Sequence, residues 1–223
     1  MEYSKIDKLG VNPSLLGFGC MRFPKKEDGT IDEVEAERML DHAIESGVTY
    51  IDTAYPYHDG ESEPFVGRVL KKYKREDFYL ATKLPMFKID SLEQAKEIFE
   101  EQMKRLDVDY VDFYLLHALN KDTWKKVIDL NIIPYCEELK KQGRIKNFGF
   151  SFHDDYEVFE EIINYRDWDF CQIQLNYIDT DIQAGMKGYK LTEEKNVPLV
   201  IMEPIKGGAL ASLSNDIEQV FTD

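Results

Sequence analysis

The feature that most limits what this chain can fold into is an alternation. Short apolar runs recur along it, each separated from the next by an amphipathic helical stretch. The runs are LLGFGCM (Leu15 to Met21), VTYIDTA (Val48 to Ala54), FYLATKL around Lys83, VDFYLLH ending at His117, RIKNFGFS ending at Ser151, DFCQIQLN, and PLVIMEP. Strands joined by helical crossovers pair in parallel. Parallel strands covered on both faces read as near-continuous apolar runs, as these do. Seven such strands leave two architectures open, a doubly wound open sheet or a (β/α)8 barrel. No repeat, linker or compositional break divides the chain, so residues 1–223 are expected to form one domain.

The helical stretches carry their own punctuation. In IDEVEAERMLDHAIESG, Asp32 reads as an N-cap with Glu35 three residues on, and Gly47 as a C-cap. Val34, Met39, Leu40, Ala43 and Ile44 are expected to share its buried face. Glu63 to Tyr73 reads as a short helix, and Ser91 as the cap of SLEQAKEIFEEQMKRL. A Lys-rich helix is expected from Lys121 to Gln142 with a break at Pro134, followed by EVFEEIINY and a helix over Ala184 to Lys195.

Composition removes several classes of function. Of 223 residues, 43% are hydrophobic, enough for a sizeable core. The formal net charge of −15 argues against general binding to nucleic acid or to an anionic membrane. No apolar run approaches the roughly 20 residues of a membrane helix, and the polar start MEYSKIDKLG lacks the core of a secretory signal. Cys20, Cys136 and Cys171 are far apart and form no CxxC. A zinc knuckle or an iron–sulfur cluster is therefore not expected, nor any other bound metal. Reduced thiols in a cytoplasmic protein are.

The informative polar residues stand at the ends of the apolar runs. Asp52 ends the second, Lys83 lies in the third, His117 ends the fourth and Ser151 the fifth; Gln172 lies within the sixth, and Glu203 ends the seventh. In a barrel, the C-terminal ends of the strands meet at one mouth, where catalytic groups gather. Lysine is almost never fully buried without a partner, so Lys83 inside an apolar strand calls for one. GFGCMR has only GxG and no third glycine, which disfavours a Rossmann dinucleotide site.

The segments GFGCMR, IDTAYPYHDGESEPFVG, ATKL, DFYLLH, GRIKNFGFS, CQIQLNY and VIMEPIKGG, in this order, resemble the aldo-keto reductase family over about residues 12–211. MEPIKGG and GFSFH look most like a bacterial and archaeal branch whose longer members carry a ferredoxin-like iron–sulfur extension, which is not expected within these 223 residues. The resemblance implies a TIM-type (β/α)8 barrel, here incomplete. The family's eighth strand, its last helices and the basic residues that usually grip an adenosine 2′-phosphate are expected to be missing after DIEQVFTD. The open edges of such a barrel are candidates for self-association.

By the same resemblance, the catalytic tetrad is Asp52, Tyr57, Lys83 and His117, and the reaction is reduction of a small aldehyde or ketone to an alcohol. Tyr57 would be the general acid. A free tyrosine titrates near pH 10, and the Lys83 cation, held by Asp52, is expected to pull that value down. His117 would orient the carbonyl oxygen. The hydride requires a nicotinamide, NADPH or NADH, because no side chain donates one.

Ser151 and Gln172 are implied as contacts to its carboxamide, and Met202, Glu203, Pro204, Lys206, Gly207 and Gly208 as the rest of its cradle. Family members commonly have Asn after the serine, where this chain has Phe152 and His153, and Tyr where it has Met202. HDG after Tyr57 also departs from the usual spacing. Glu63 is expected to brace the tyrosine loop, and Phe23, Tyr55, Phe87 and Trp124 are candidate pocket aromatics. The alternatives are a nicotinamide-binding regulatory or redox-sensing subunit, and an inactive barrel fragment.

Overall fold

The structure, a computed structural model, describes residues 1–211. Seven strands, β1 (Gly17–Gly19), β2 (Tyr50–Asp52), β3 (Tyr79–Leu84), β4 (Val111–Leu119), β5 (Ile145–Phe152), β6 (Phe170–Gln174) and β7 (Leu199–Met202), lie in sequence order in one sheet. Every neighbouring pair is parallel. The helices between them are α1 (Glu33–Glu45), α2 (Ser62–Leu70), α3 (Leu92–Leu106), α4 (Lys121–Asp129), α5 (Ile132–Lys141), α6 (Tyr156–Tyr165) and α7 (Gly185–Glu194). This is an incomplete (β/α)8 barrel, and among the described residues no ladder joins β7 back to β1. No helix among the described residues is long and apolar enough to cross a membrane.

Two apolar layers follow from the alternation of side chains along each strand. The larger lies between sheet and helices, with Leu80, Leu116, Phe148, Phe150 and Trp168 at its centre. The smaller lies on the concave face: Tyr50, Ala81, Phe113, Leu115 and Phe170. There the Phe113 ring meets Tyr50 at 5.1 Å and Phe170 at 4.9 Å, both edge to face. An N-terminal antiparallel turn, bridged Tyr3 to Ser14 and Ile6 to Val11, packs Leu9 and Val11 under this inner layer.

The same turn is tied to the segments that lead into β6 and β7. The Lys8 ammonium donates to Asp167 Oδ1 (2.7 Å), Trp168 O (2.9 Å) and Asn196 O (3.1 Å), all just ahead of β6 and β7. At the opposite end of the barrel, the Arg22 guanidinium, after β1, lies against Gly207, after β7.

Most helix boundaries follow the sequence signals. Asp32 caps α1 by accepting from the Glu35 amide at 3.4 Å, and Ser91 caps α3 by accepting from that of Gln94 at 3.2 Å. Val34, however, is 82% exposed. The stripe that packs is Ala36, Leu40, Ala43 and Ile44, and at 100° per residue Val34 falls on the far side of it.

The Lys-rich stretch is two helices. The break comes at Leu130 and Asn131, where Asn131 adopts φ 54°, and not at Pro134. Pro134 is the third residue of α5, in the first turn, where no intrahelical N–H is required of it. Gly67 shows why α2 carries a glycine. A Cβ there would lie 2.6 Å from the Leu106 carbonyl oxygen at the end of α3, so only glycine lets the two helices pack this closely.

Candidate active site

The site is built at the C-terminal ends of β2, β3 and β4. Lys83 lies one residue before the end of β3 and is 1% exposed. Its ammonium has three donors and three acceptors: Asp52 Oδ1, Thr53 O at 2.9 Å and the Tyr57 hydroxyl at 3.2 Å. Burial alone would lower its pKa. The Asp52 charge and the Tyr57 oxygen outweigh burial and leave the pKa raised, so Lys83 is a permanent cation.

Tyr57 follows β2 in a tight turn. His58, Asp59 and Gly60 take φ values of 51°, 56° and 96° in succession. His58 Nε2 accepts from the Phe23 amide at 3.2 Å and ties this turn to the loop after β1.

Burial is the largest influence on the Tyr57 phenol and raises its pKa. Lys83 lowers it, Asp52 raises it again, and the outcome is a phenol above its ordinary value. The sequence expectation of a depressed value is thereby corrected. The cation is in place, but desolvation and the aspartate charge outweigh it. Tyr57 is a protonated donor at neutral pH. Because Lys83 donates to its oxygen, its own proton is free to point elsewhere.

His117 faces Tyr57 edge to face, ring centroids 5.8 Å apart, with Phe87 5.7 Å away on another side. Burial and the nearby Lys83 charge hold its pKa well below the usual value, so the imidazole is neutral, and its Nδ1 is buried with no partner. β4 continues past His117 to Leu119 through a register shift, and Ala118 takes φ 53°. The amide freed at that irregularity donates to Ser151 Oγ at 2.8 Å. Ser151 therefore braces the strand end that carries His117.

A buried polar cluster supports Lys83 from behind. Glu63, with no exposed surface, accepts through Oε1 from Thr82 Oγ1 (2.6 Å) and Gln102 Nε2 (2.8 Å). Gln102 also donates to the Lys83 carbonyl at 3.0 Å and accepts from the Tyr114 hydroxyl at 2.8 Å. Arg105 sits 3.5 Å from Glu63 Oε2 and stacks on the Tyr55 ring at 4.1 Å, which links this cluster to the tyrosine loop. Sequence reasoning missed Gln102, although a signal was present. It falls on the α3 stripe Ala95, Phe99, Gln102, Met103, Leu106, the one polar residue on an otherwise apolar face.

The remaining candidates divide. Gln172 joins the tetrad: its Nε2 donates to Asp52 Oδ2 at 3.2 Å, and its Oε1 is buried without a partner. Met202 ends β7 opposite Gln174, half-buried, with Glu203 (φ 56°) after it and Pro204 exposed. The Lys206 ammonium pairs with Asp179 (3.0 and 2.9 Å), which also accepts from Asn176 at 3.0 Å. Gly207 and Gly208 turn the chain with φ 66° and 102°. Among the described residues, no hydrogen bond or ion pair joins the Glu203–Gly208 segment to Asp52, Tyr57, Lys83 or His117.

Of the four pocket aromatics, Phe87 alone stands exposed beside the tetrad. Phe23 packs on Phe65, Trp124 is buried and donates to Glu161, and Tyr55 lies under Arg105.

The sequence and fold of the whole chain are matched in known proteins. The sequence model of the aldo/keto reductase family fits residues 15–223. Probable aldo-keto reductase 1 of Glycine max is 32% identical over 155 residues, covering 66% of this chain and 44% of that protein. The uncharacterized oxidoreductase YqkF of Bacillus subtilis is 29% identical over 219 residues, 94% of this chain and 67% of that one. Among solved structures, the holo form of aldo-keto reductase AKR11C1 from Bacillus halodurans superposes with a TM-score of 0.72 at 30% identity, over 90% of this chain and 65% of that one. The chain thus spans between about two fifths and two thirds of the length of these relatives. With the family's sequence pattern running from Leu15 onward and its strand order intact, the chain belongs to the aldo/keto reductase family.

Proposed function

We infer that the chain reduces a small aldehyde or ketone with a hydride from NADPH or NADH, with Tyr57 as the general acid. The observation that carries this reading is the saturated Lys83 ammonium, a buried cation with Tyr57 oxygen as one of its three acceptors. A structural lysine could be replaced by an apolar side chain; a cation held against a buried phenol favours the phenolate that proton transfer leaves behind.

The residues present fit a nicotinamide. Gln172 Oε1 is buried and lacks a donor, which a carboxamide N–H would supply, and Met202 offers an apolar neighbour at the end of β7. When bound, the cofactor supplies the hydride to the carbonyl carbon. The chain's own residues do the rest. Tyr57 gives its proton to the carbonyl oxygen as charge develops there. Lys83, fixed by Asp52 and Thr53 O, remains beside the phenolate and stabilises it. Neutral His117 hydrogen-bonds the same oxygen and sets the approach of the substrate. Phe87, 48% exposed, forms an apolar wall for the substituent.

The three cysteines are free thiols, in keeping with a cytoplasmic protein. The test is turnover of a panel of aldehydes and ketones, followed by loss of nicotinamide absorbance. Tyr57→Phe should lower kcat by about 10²- to 10⁴-fold, the usual worth of a positioned acid, with cofactor Kd unchanged. Equal turnover by Tyr57→Phe and the parent chain would overturn the assignment.

A further inference from the structure

Gln172 has one end of its amide engaged and the other left over. Its amide nitrogen donates to Asp52 Oδ2 at 3.2 Å, and its carbonyl oxygen is left buried and unpartnered in the barrel interior. The side chain is 4% exposed, on β6, and reaches an aspartate 120 residues earlier on β2, across the concave face. Among the described residues Asp52 has two side-chain donors, one for each oxygen: Lys83 for Oδ1 and Gln172 for Oδ2.

We propose that Gln172 is a positioning residue for the acid, acting through Asp52. The amide fixes the plane of the carboxylate. That plane decides where the Lys83 ammonium sits, and Lys83 has one N–H on the Tyr57 oxygen. Without Gln172, Oδ2 is left near the barrel interior with no donor, and the carboxylate turns to seek one. Lys83 follows its counter-charge, and its bond to Tyr57 is the weakest-held of its three. The arrangement also means that a donor engaging Gln172 Oε1 locks the same amide onto Asp52. The filling of the cofactor site and the alignment of the proton donor are then one event. This rests on the reading of Tyr57 as the acid.

The experiment is a double-mutant cycle with Gln172→Met, which keeps the length of the side chain and removes its polar atoms, and Asp52→Ala. In the parent background Gln172→Met should lower kcat by about tenfold, the low end of a hydrogen bond to a charged group. In the Asp52→Ala background the same substitution should change kcat by less than about twofold, because the group it acts through is gone. Equal fold-losses in the two backgrounds would overturn the proposal and leave Gln172 a cofactor contact or a packing residue. The same cycle is read in the cofactor-free protein by urea unfolding. Non-additive unfolding energies are expected, and strict additivity counts against the Asp52 contact. Should no carbonyl be turned over at all, the reading of function fails, while the unfolding cycle still reports on the Gln172–Asp52 link.

Discussion

Glu63 offers the sharpest test of how the site is supported. Its carboxylate is fully buried and accepts from Thr82 (2.6 Å) and Gln102 (2.8 Å), with Arg105 at 3.5 Å on its other oxygen. Glu63→Ala removes both acceptor contacts. Gln102 keeps Thr82 Oγ1 at 3.1 Å and the Lys83 carbonyl at 3.0 Å, and Arg105 keeps Glu101. The Thr82 hydroxyl keeps no acceptor. At about 1.5–3 kcal/mol for each hydrogen bond to a charged group, less the burial cost of the lost carboxylate, the expected loss is about 3 kcal/mol. For a chain of this size that lowers Tm by roughly 6–12 °C.

Glu63→Gln keeps the acceptor oxygen and sheds the charge, and should stay within about 1 kcal/mol of the parent at neutral pH. The pH dependence separates these causes. Burial raises the Glu63 pKa in spite of its hydrogen bonds, so its ionised form costs folding energy. The folded state holds the proton more tightly than the unfolded one. Parent stability relative to Glu63→Gln therefore rises as pH falls from the raised value toward about 4.3, the ordinary glutamate value. Urea unfolding followed by Trp124 and Trp168, both buried, reads each comparison. A parent-minus-Gln difference that stays flat as pH falls from neutrality to about 4.3 would refute this account of the cluster.

Three further outcomes are expected. Asp179→Asn should release Lys206 and tighten NADPH binding by about threefold, more at low salt than at high salt, as a partly exposed ion pair allows; fluorescence titration checks it, and weaker binding would show that Asp179 supports the loop instead. Gly67→Ala should cost about 1–3 kcal/mol, since its Cβ must displace the Leu106 carbonyl, and urea unfolding reads it. The rate of carbonyl reduction should be level from about pH 6.5 to about pH 9.5, because His117 is neutral throughout and the raised Tyr57 phenol holds its proton; an inflection near neutrality in the kcat profile would contradict one of these two assignments.

The strand order was legible from the alternation, and the meeting of Asp52, Lys83 and His117 at one end of the sheet from the way each interrupts a sequence that would otherwise be core; Tyr57, in a loop, entered only through the resemblance. What could not be read were contacts that depend on curvature. Gln172 meets Asp52 only because the sheet bends β6 toward β2, and Lys206 meets Asp179 only because the loops after β6 and β7 run side by side. Pro134 misplaced a helix break because proline is harmless in a first turn, whereas the actual break is made by Asn131 in a left-handed conformation. The direction of the Tyr57 shift depends on the balance of burial against two opposite charges, and the presence of Lys83 alone does not decide it.

The Lys8 clasp also sets a timetable. One of its three acceptors lies 188 residues further along the chain, at Asn196. During synthesis, the amino-terminal turn emerges from the ribosome long before the carbonyl it finally grips. Until that carbonyl follows, Lys8 stays hydrated and the floor under Phe113 and Phe170 stays unlatched. Nascent chains stalled ahead of residue 196 should accordingly remain open to proteolysis at the turn, and protection should arrive in one late step once β7 is free of the tunnel.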